Sequence, residues 1–135
     1  MFTKKRALVW SHNDDWLISG DSNGEIKYWQ PNMNNMKKIE AHKAEQSIRD
    51  LTFSPTDLKL ASASDDQTVK IWDFATCELE NTLKHGADVK TVHWHPFLSL
   101  LASGTKEHKV KIWEAKSGKE IKTFSSHKDT VLKGE

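Results

Sequence analysis

Cysteine is almost missing from this 135-residue chain, where Cys77 stands alone. A single thiol excludes an internal disulfide and a cysteine-based zinc site, and it fits a reducing compartment. An excess of one charge is missing too. Twenty Lys and Arg residues against nineteen Asp and Glu leave a net charge of +1. No strong field therefore draws nucleic acid or an acidic membrane to the chain. No apolar run approaches the ~20 residues of a membrane span, so no membrane association is expected. The segment Met1-Phe2-Thr3-Lys4-Lys5-Arg6 is basic but leads into no apolar stretch of the kind a secretory signal needs. Phosphate-binding glycine loops, the HExxH zinc motif and the EF-hand pattern are absent, and no cofactor is expected.

What the chain does have is tryptophan, six residues in all, and most of them recur periodically. Trp29, Trp72 and Trp113 lie 43 and 41 residues apart. Immediately before them come Tyr28, Ile71 and Ile112, then Lys27, Lys70 and Lys111, then Ile26, Val69 and Val110. Ten residues earlier stand Ser19, Ser62 and Ser103, and nineteen earlier Trp10, Phe53 and Trp94. Histidine follows each tryptophan after 13 or 14 residues, as His42, His85 and His127. Agreement without a gap over nearly twenty residues, three times, makes the chain an array of repeats.

Each unit reads as short strands. Val69-Lys70-Ile71-Trp72 alternates as a strand does, and Leu60-Ala61-Ser62-Ala63 is an apolar run before it. Ser64-Asp65-Asp66-Gln67 between them is turn chemistry. A third strand runs from about Ile48 to Phe53, ending at Ser54-Pro55, where proline cannot continue a ladder. A fourth lies near Leu79 to Leu83. Four strands per 41 to 43 residues is the period of a β-propeller blade rather than a helical solenoid. The fold class expected is all-β: about three four-stranded blades forming an incomplete propeller. Blade 1 covers about 1–41, blade 2 about 42–84 and blade 3 about 85–126, with a further blade starting over 127–135. The Asn32-Met33-Asn34-Asn35-Met36 stretch reads as a loop between the third and fourth strands of the first unit.

The repeated polar residues have a physical use. A buried indole N–H must find an acceptor, and a buried carboxylate must find donors. In the second unit a chain from Trp72 through Ser62 and His42 to Asp66 would satisfy all four. Serine, histidine and aspartate also form hydrolase triads. A triad occurs once, however, whereas these residues recur with the repeat, and no GxSxG elbow is present. The set is read as structural, and no catalytic residue is assigned. The first unit supplies only Ser19, Asn23 and Trp29. The third supplies His85, Ser103, Glu107 and Trp113, with a glutamate one methylene too long. His93-Trp94-His95 places two imidazoles on alternate residues, with His12, His85 or Asp88 as a possible third metal ligand. His95-Pro96 matches Ser54-Pro55, however, and is read as strand punctuation, so no metal is assigned. The recurrent lysines are read as solvated strand positions.

At these residues the sequence resembles WD-repeat β-propellers, over residues 7–135. Those blades carry a Trp–Ser–His–Asp tetrad at the positions of Trp72, Ser62, His42 and Asp66. The strings KYWQPNMNN (27–35), FSPTD (53–57), SDDQTVKIWDF (64–74) and HGADVKTVHWHP (85–96) narrow the resemblance. Together they look like the WD-repeat subunit of the pre-mRNA cleavage and polyadenylation specificity factor. The resemblance implies a non-enzymatic nuclear scaffold of mRNA 3′-end formation, partnered by the other subunits of that machinery. The resemblance also implies that RNA is touched only within the complex and outside this segment, so no RNA-binding residue is assigned. The alternatives are an interaction module of another complex, such as a ubiquitin ligase substrate receptor, or a propeller fragment without independent function.

Overall fold

The structure is a computed structural model, and it describes residues 5–30 and 36–125. Within those residues the chain forms twelve strands in three sheets, each a four-stranded antiparallel meander. The first sheet holds β1 (Lys5–Trp10), β2 (Leu17–Asp21), β3 (Glu25–Trp29) and β4 (Met36–Glu40). The second holds β5 (Ile48–Phe53), β6 (Lys59–Ser64), β7 (Thr68–Asp73) and β8 (Leu79–Lys84). The third holds β9 (Val89–Trp94), β10 (Leu100–Thr105), β11 (Lys109–Glu114) and β12 (Lys119–Ser125). His127, the start of a further blade over 127–135, and residues 32–35 of the asparagine-rich loop lie outside the described residues; Met36 opens β4.

The repeat is written into the backbone as well as the side chains. The turn between the second and third strands of every sheet carries one left-handed residue five before the tryptophan: Gly24, Gln67 and His108, at φ 80°, 74° and 64°. Only the first is glycine, and there the need is also spatial. A Cβ on Gly24 would lie 2.8 Å from the carbonyl oxygens of both His42 and Lys43. The first strand of each sheet is bulged, near Lys5–Ala7, Ile48–Asp50 and Val89–Thr91. Such bulges increase local twist and re-aim side chains.

Burial shows how the sheets stack. In β6 every residue after Lys59 is buried, because both faces of the middle sheet are covered. The corresponding β10 alternates instead. One apolar layer joins the first and second sheets: Ile18, Ile26 and Tyr28 pack on Ile48, Leu51, Phe53, Leu60 and Trp72. A second layer joins the second and third, where Ala61, Val69 and Ile71 meet Val89, Val92, Leu101 and Trp113. At the outer end of the first layer Tyr28 stacks on Phe74 at 4.7 Å, while Trp16 and Phe53 meet Phe74 edge-on. The Tyr28 hydroxyl donates to the Phe74 carbonyl at 3.2 Å, so this aromatic cluster leaves its polar tip paired. Burial first, then neighbouring Cys77, pushes the Tyr28 phenol far above its ordinary range.

Candidate functional site

The tryptophan of each sheet donates its indole N–H to the serine of the neighbouring strand. Trp29, Trp72 and Trp113 reach Ser19, Ser62 and Ser103 at 3.0, 3.1 and 3.1 Å. Antiparallel pairing sets these contacts: Ser62 pairs with Lys70, and Trp72 lies two residues further along the same face of β7. From the serine onward the three sheets diverge.

In the second sheet the chain of bonds runs to a carboxylate. His42 Nε2 lies 2.7 Å from Ser62 Oγ, and His42 Nδ1 lies 2.8 Å from Asp66 Oδ2. With the Nδ1–H tautomer every donor finds an acceptor: indole to serine, serine hydroxyl to imidazole, imidazole to carboxylate. Thr68 was not singled out from the sequence, yet its hydroxyl donates to Asp66 Oδ1 at 2.6 Å and lies 3.2 Å from His42 Nδ1. The amides of Thr68 and Lys43 also donate to Asp66. Burial alone would push the Asp66 carboxyl up; the His42 ring, Thr68 and the Lys43 amide outweigh it and hold it far below the usual carboxylate range. The His42 side chain is wholly buried, and Ser62 is buried with both bonds committed. No face of the serine is open to an incoming carbonyl, so the Ser–His–Asp set lacks the access nucleophilic catalysis requires.

In the third sheet the chain of bonds ends on the backbone. His85 Nε2 meets Ser103 Oγ at 2.6 Å, but Nδ1 turns to the Leu83 carbonyl at 2.8 Å. Glu107 is exposed and takes no part. With Glu107 exposed, the imidazole keeps a neutral acceptor. Burial therefore pushes the His85 imidazole below its ordinary value, only partly opposed by the Leu83 carbonyl. In the first sheet Asn23 Oδ1 accepts the Glu45 amide at 2.9 Å, tying the turn to the loop before the second sheet. Asp21, two residues before Asn23, is the buried carboxylate of that turn and accepts the amides of Asn23 and Glu25.

Two other carboxylates join the sheets, and neither was singled out from the sequence. Asp57 accepts the His12 and Asn13 amides of the first sheet at 3.0 and 3.2 Å. Asp50 accepts the Val92 amide of the third sheet at 3.0 Å. Both stand in the second sheet, and Asp50 corresponds to Ala7 and Thr91, so no recurrence marks it. Near the bulges, Arg49 holds Asp65 through Nε and Nη2 at 3.0 and 2.7 Å. Lys90 reaches Asp65 across the second joint at 3.6 Å. The Arg49 guanidinium holds the Asp65 carboxyl below its usual range.

The remaining candidates resolve simply. His95 Nδ1 accepts the Phe97 and Leu98 amides at 3.0 Å each, capping the turn after β9. No group of three or more His, Cys, Asp or Glu among the described residues could hold a metal. Two of the recurrent lysines are not simply solvated. Lys70 donates to the Ala41 carbonyl at 2.9 Å, and Lys111 bonds Glu120 and Thr123 at 3.2 Å each. Their long stems carry the ammonium from mid-strand to partners in the adjoining loop and strand. Between the second and third sheets lies an open groove of about 330 Å³, lined by Pro55, Leu58, Trp94, Phe97, Leu98 and Ala115. No helix of the described residues is long and apolar enough to cross a membrane.

Comparison with known proteins matches this geometry. The family described as WD domain, G-beta repeat, matches residues 4–30 and 33–73, and the anaphase-promoting complex subunit 4 WD40 domain matches 80–133. Polyadenylation factor subunit 2 of Neurospora crassa is 51% identical over 129 residues, covering 95% of this chain and 19% of that protein. Its namesake in Gibberella zeae is 52% identical over 129 residues, covering 95% and 21%. The chain thus spans about a fifth of the length of these relatives. Among solved structures, U3-55K and the RRP9 WD40 repeats superpose with TM-scores of 0.85 and 0.87. Each is 19% identical and covers 96% of this chain and 41% of the other, a likeness of fold alone. A family defined by this repeat accounts for half of the residues, and its sheets are the ones seen here: the chain belongs to the WD40 repeat family.

Proposed function

We propose that the chain is a non-enzymatic scaffold in mRNA 3′-end cleavage and polyadenylation, working in the nucleus beside the other subunits of that machinery. The observation that carries this reading is the 51% identity with the Neurospora crassa polyadenylation factor subunit over 95% of the chain. A network such as Trp72–Ser62–His42–Asp66 suits the role: it fixes loops and strand ends rigidly, and rigid loops are what a docking surface needs. The charge of +1 supplies little affinity for RNA by itself. RNA contact therefore arises within the complex and through residues outside this segment. The tetrad residues His42, Ser62, Asp66 and Trp72 serve stability rather than recognition, as do the partial sets in the other sheets.

The test is affinity purification of the tagged chain from nuclear extract. Co-purification of cleavage and polyadenylation subunits, resistant to nuclease, is the expected result. Recovery of the folded chain without any of them would overturn the reading.

A further inference from the structure

The two joints between the three sheets repeat in backbone but differ in what fills one edge. Beyond β7 the Phe74 amide donates to the Leu58 carbonyl at 3.0 Å, and beyond β11 the Ala115 amide donates to the Ser99 carbonyl at 2.9 Å. The two loops therefore hold the same place in their sheets. At the first joint the Phe74 ring fills the edge, stacked on Tyr28 and met edge-on by Trp16 and Phe53. At the second joint the repeat puts Ala115 for Phe74, Ile71 for Tyr28, Lys59 for Trp16 and Trp94 for Phe53. All four line the open groove of about 330 Å³. The groove thus marks the place of an aromatic cluster of which only the Trp94 ring remains. The loop of Ala115 is held where it stands, because Asn81 Nδ2 donates to the Ala115 and Lys116 carbonyls at 3.0 and 3.3 Å. A described sheet flanks the groove on each side, so its form does not turn on what borders the first or third sheet.

We propose that this groove takes an aromatic side chain from a short acidic segment of a partner protein, with the ring over Ala115 and Ile71 and the acid toward Lys116. The first joint shows which group fits the place, since a phenylalanine ring occupies it there. The groove lies at the small end of the ~300–1,000 Å³ range of ligand pockets, a size for one anchoring side chain. Its rim is apolar where the repeat is polar elsewhere. Phe97 and Leu98 stand at the positions of Thr56 and Asp57, and Asp57 is the carboxylate that ties the first joint. Phe97 is 87% exposed, an apolar rim of the kind that marks a binding groove. Charge sets the flank. Lys59 is held by Asp73 and Glu80, whereas the Lys116 ammonium has no ion-pair partner among the described residues. Binding is therefore driven by the ring and oriented by the acid.

An NMR titration of the 135-residue chain with acetylated, amidated Asp-Phe-Ala-Thr tests this; the peptide copies residues 73–76, which fill the first joint. Saturable shifts of the Ile71, Trp94 and Ala115 amides are expected. Alanine for phenylalanine in the peptide should weaken binding about ten-fold or more. Ala115→Phe, which restores the ring from within, should abolish binding. Phe97→Ala alters only an exposed side chain and should weaken binding several-fold, with circular dichroism unchanged. Lys116→Glu should weaken it as well and remove much of its salt dependence. No saturable shift, an alanine peptide that binds equally well, or binding indifferent to these substitutions would overturn the proposal. So would a ring found on Ala115 before peptide is added, whether from another segment of the same chain or, rising with concentration, from a second copy.

Discussion

The second and third sheets begin their hydrogen-bonded networks identically and finish them differently. Both run from indole to serine to imidazole, at nearly the same distances. The second then reaches the Asp66 carboxylate, while the third stops at the Leu83 carbonyl. Glu107 stands in place of Asp66, one methylene longer, and Lys109 in place of Thr68. The difference teaches what the carboxylate adds. Asp66 collects the imidazole, a hydroxyl and the amides of Thr68 and Lys43, so it fastens the turn, the strand and the preceding loop to one another. The bond to the Leu83 carbonyl ties the imidazole only to the strand just before it, two residues away.

The shared part of the networks should break alike. Ser62→Ala and Ser103→Ala each strand an indole N–H and an imidazole nitrogen, and each is expected to cost about 1–3 kcal/mol in urea unfolding. A negligible cost in either sheet would separate networks that the geometry makes equivalent at this node.

Acid sharpens the contrast, because the two networks fail at different pH. The folded-state pKa of His85 is lowered, so its contribution is complete above the unfolded value of about 6.5 and fades as pH falls below it. The Asp66 carboxyl is lowered too. Its contribution is complete above about pH 4 and is lost only in stronger acid. Stability should therefore fall in two stages on acidification. Asp66→Asn should flatten the second stage, and His85→Gln the first. A single transition unaffected by both substitutions would refute the assignment.

The smallest effect expected is from Glu107→Asp, which offers the third sheet the shorter acid. As a surface substitution it should move stability within about 0.5 kcal/mol. If the shorter side chain reaches Nδ1 as Asp66 does in the second sheet, the His85 resonances should titrate at higher pH. An unchanged His85 titration by NMR would mean that more than side-chain length keeps Glu107 out.

Much of the fold was legible because the 41- and 43-residue spacings repeat strands, turns and the Trp–Ser pairs together. The second network was legible for the same reason, since its members recur or stand at recurring positions. Other features were hidden by the physics that makes them useful. Asp50 and Asp57 act on backbone amides of neighbouring sheets, and an amide leaves no mark in a sequence. The acceptor for His85 is likewise a carbonyl, visible only once β8 is placed. Lys70 and Lys111 resemble any solvated strand lysine until the loop and strand beside them are in position.

The account holds that Asp66 joins three elements of the second sheet and that Glu107 joins none of the third. Parallel urea unfolding of Asp66→Ala and Glu107→Ala tests this most directly. Asp66→Ala is expected to cost about 1.5–3 kcal/mol, the worth of hydrogen bonds to a charged group. Glu107→Ala should stay within about 0.5 kcal/mol of the wild type. Equal losses, or a larger loss at Glu107, would contradict the account.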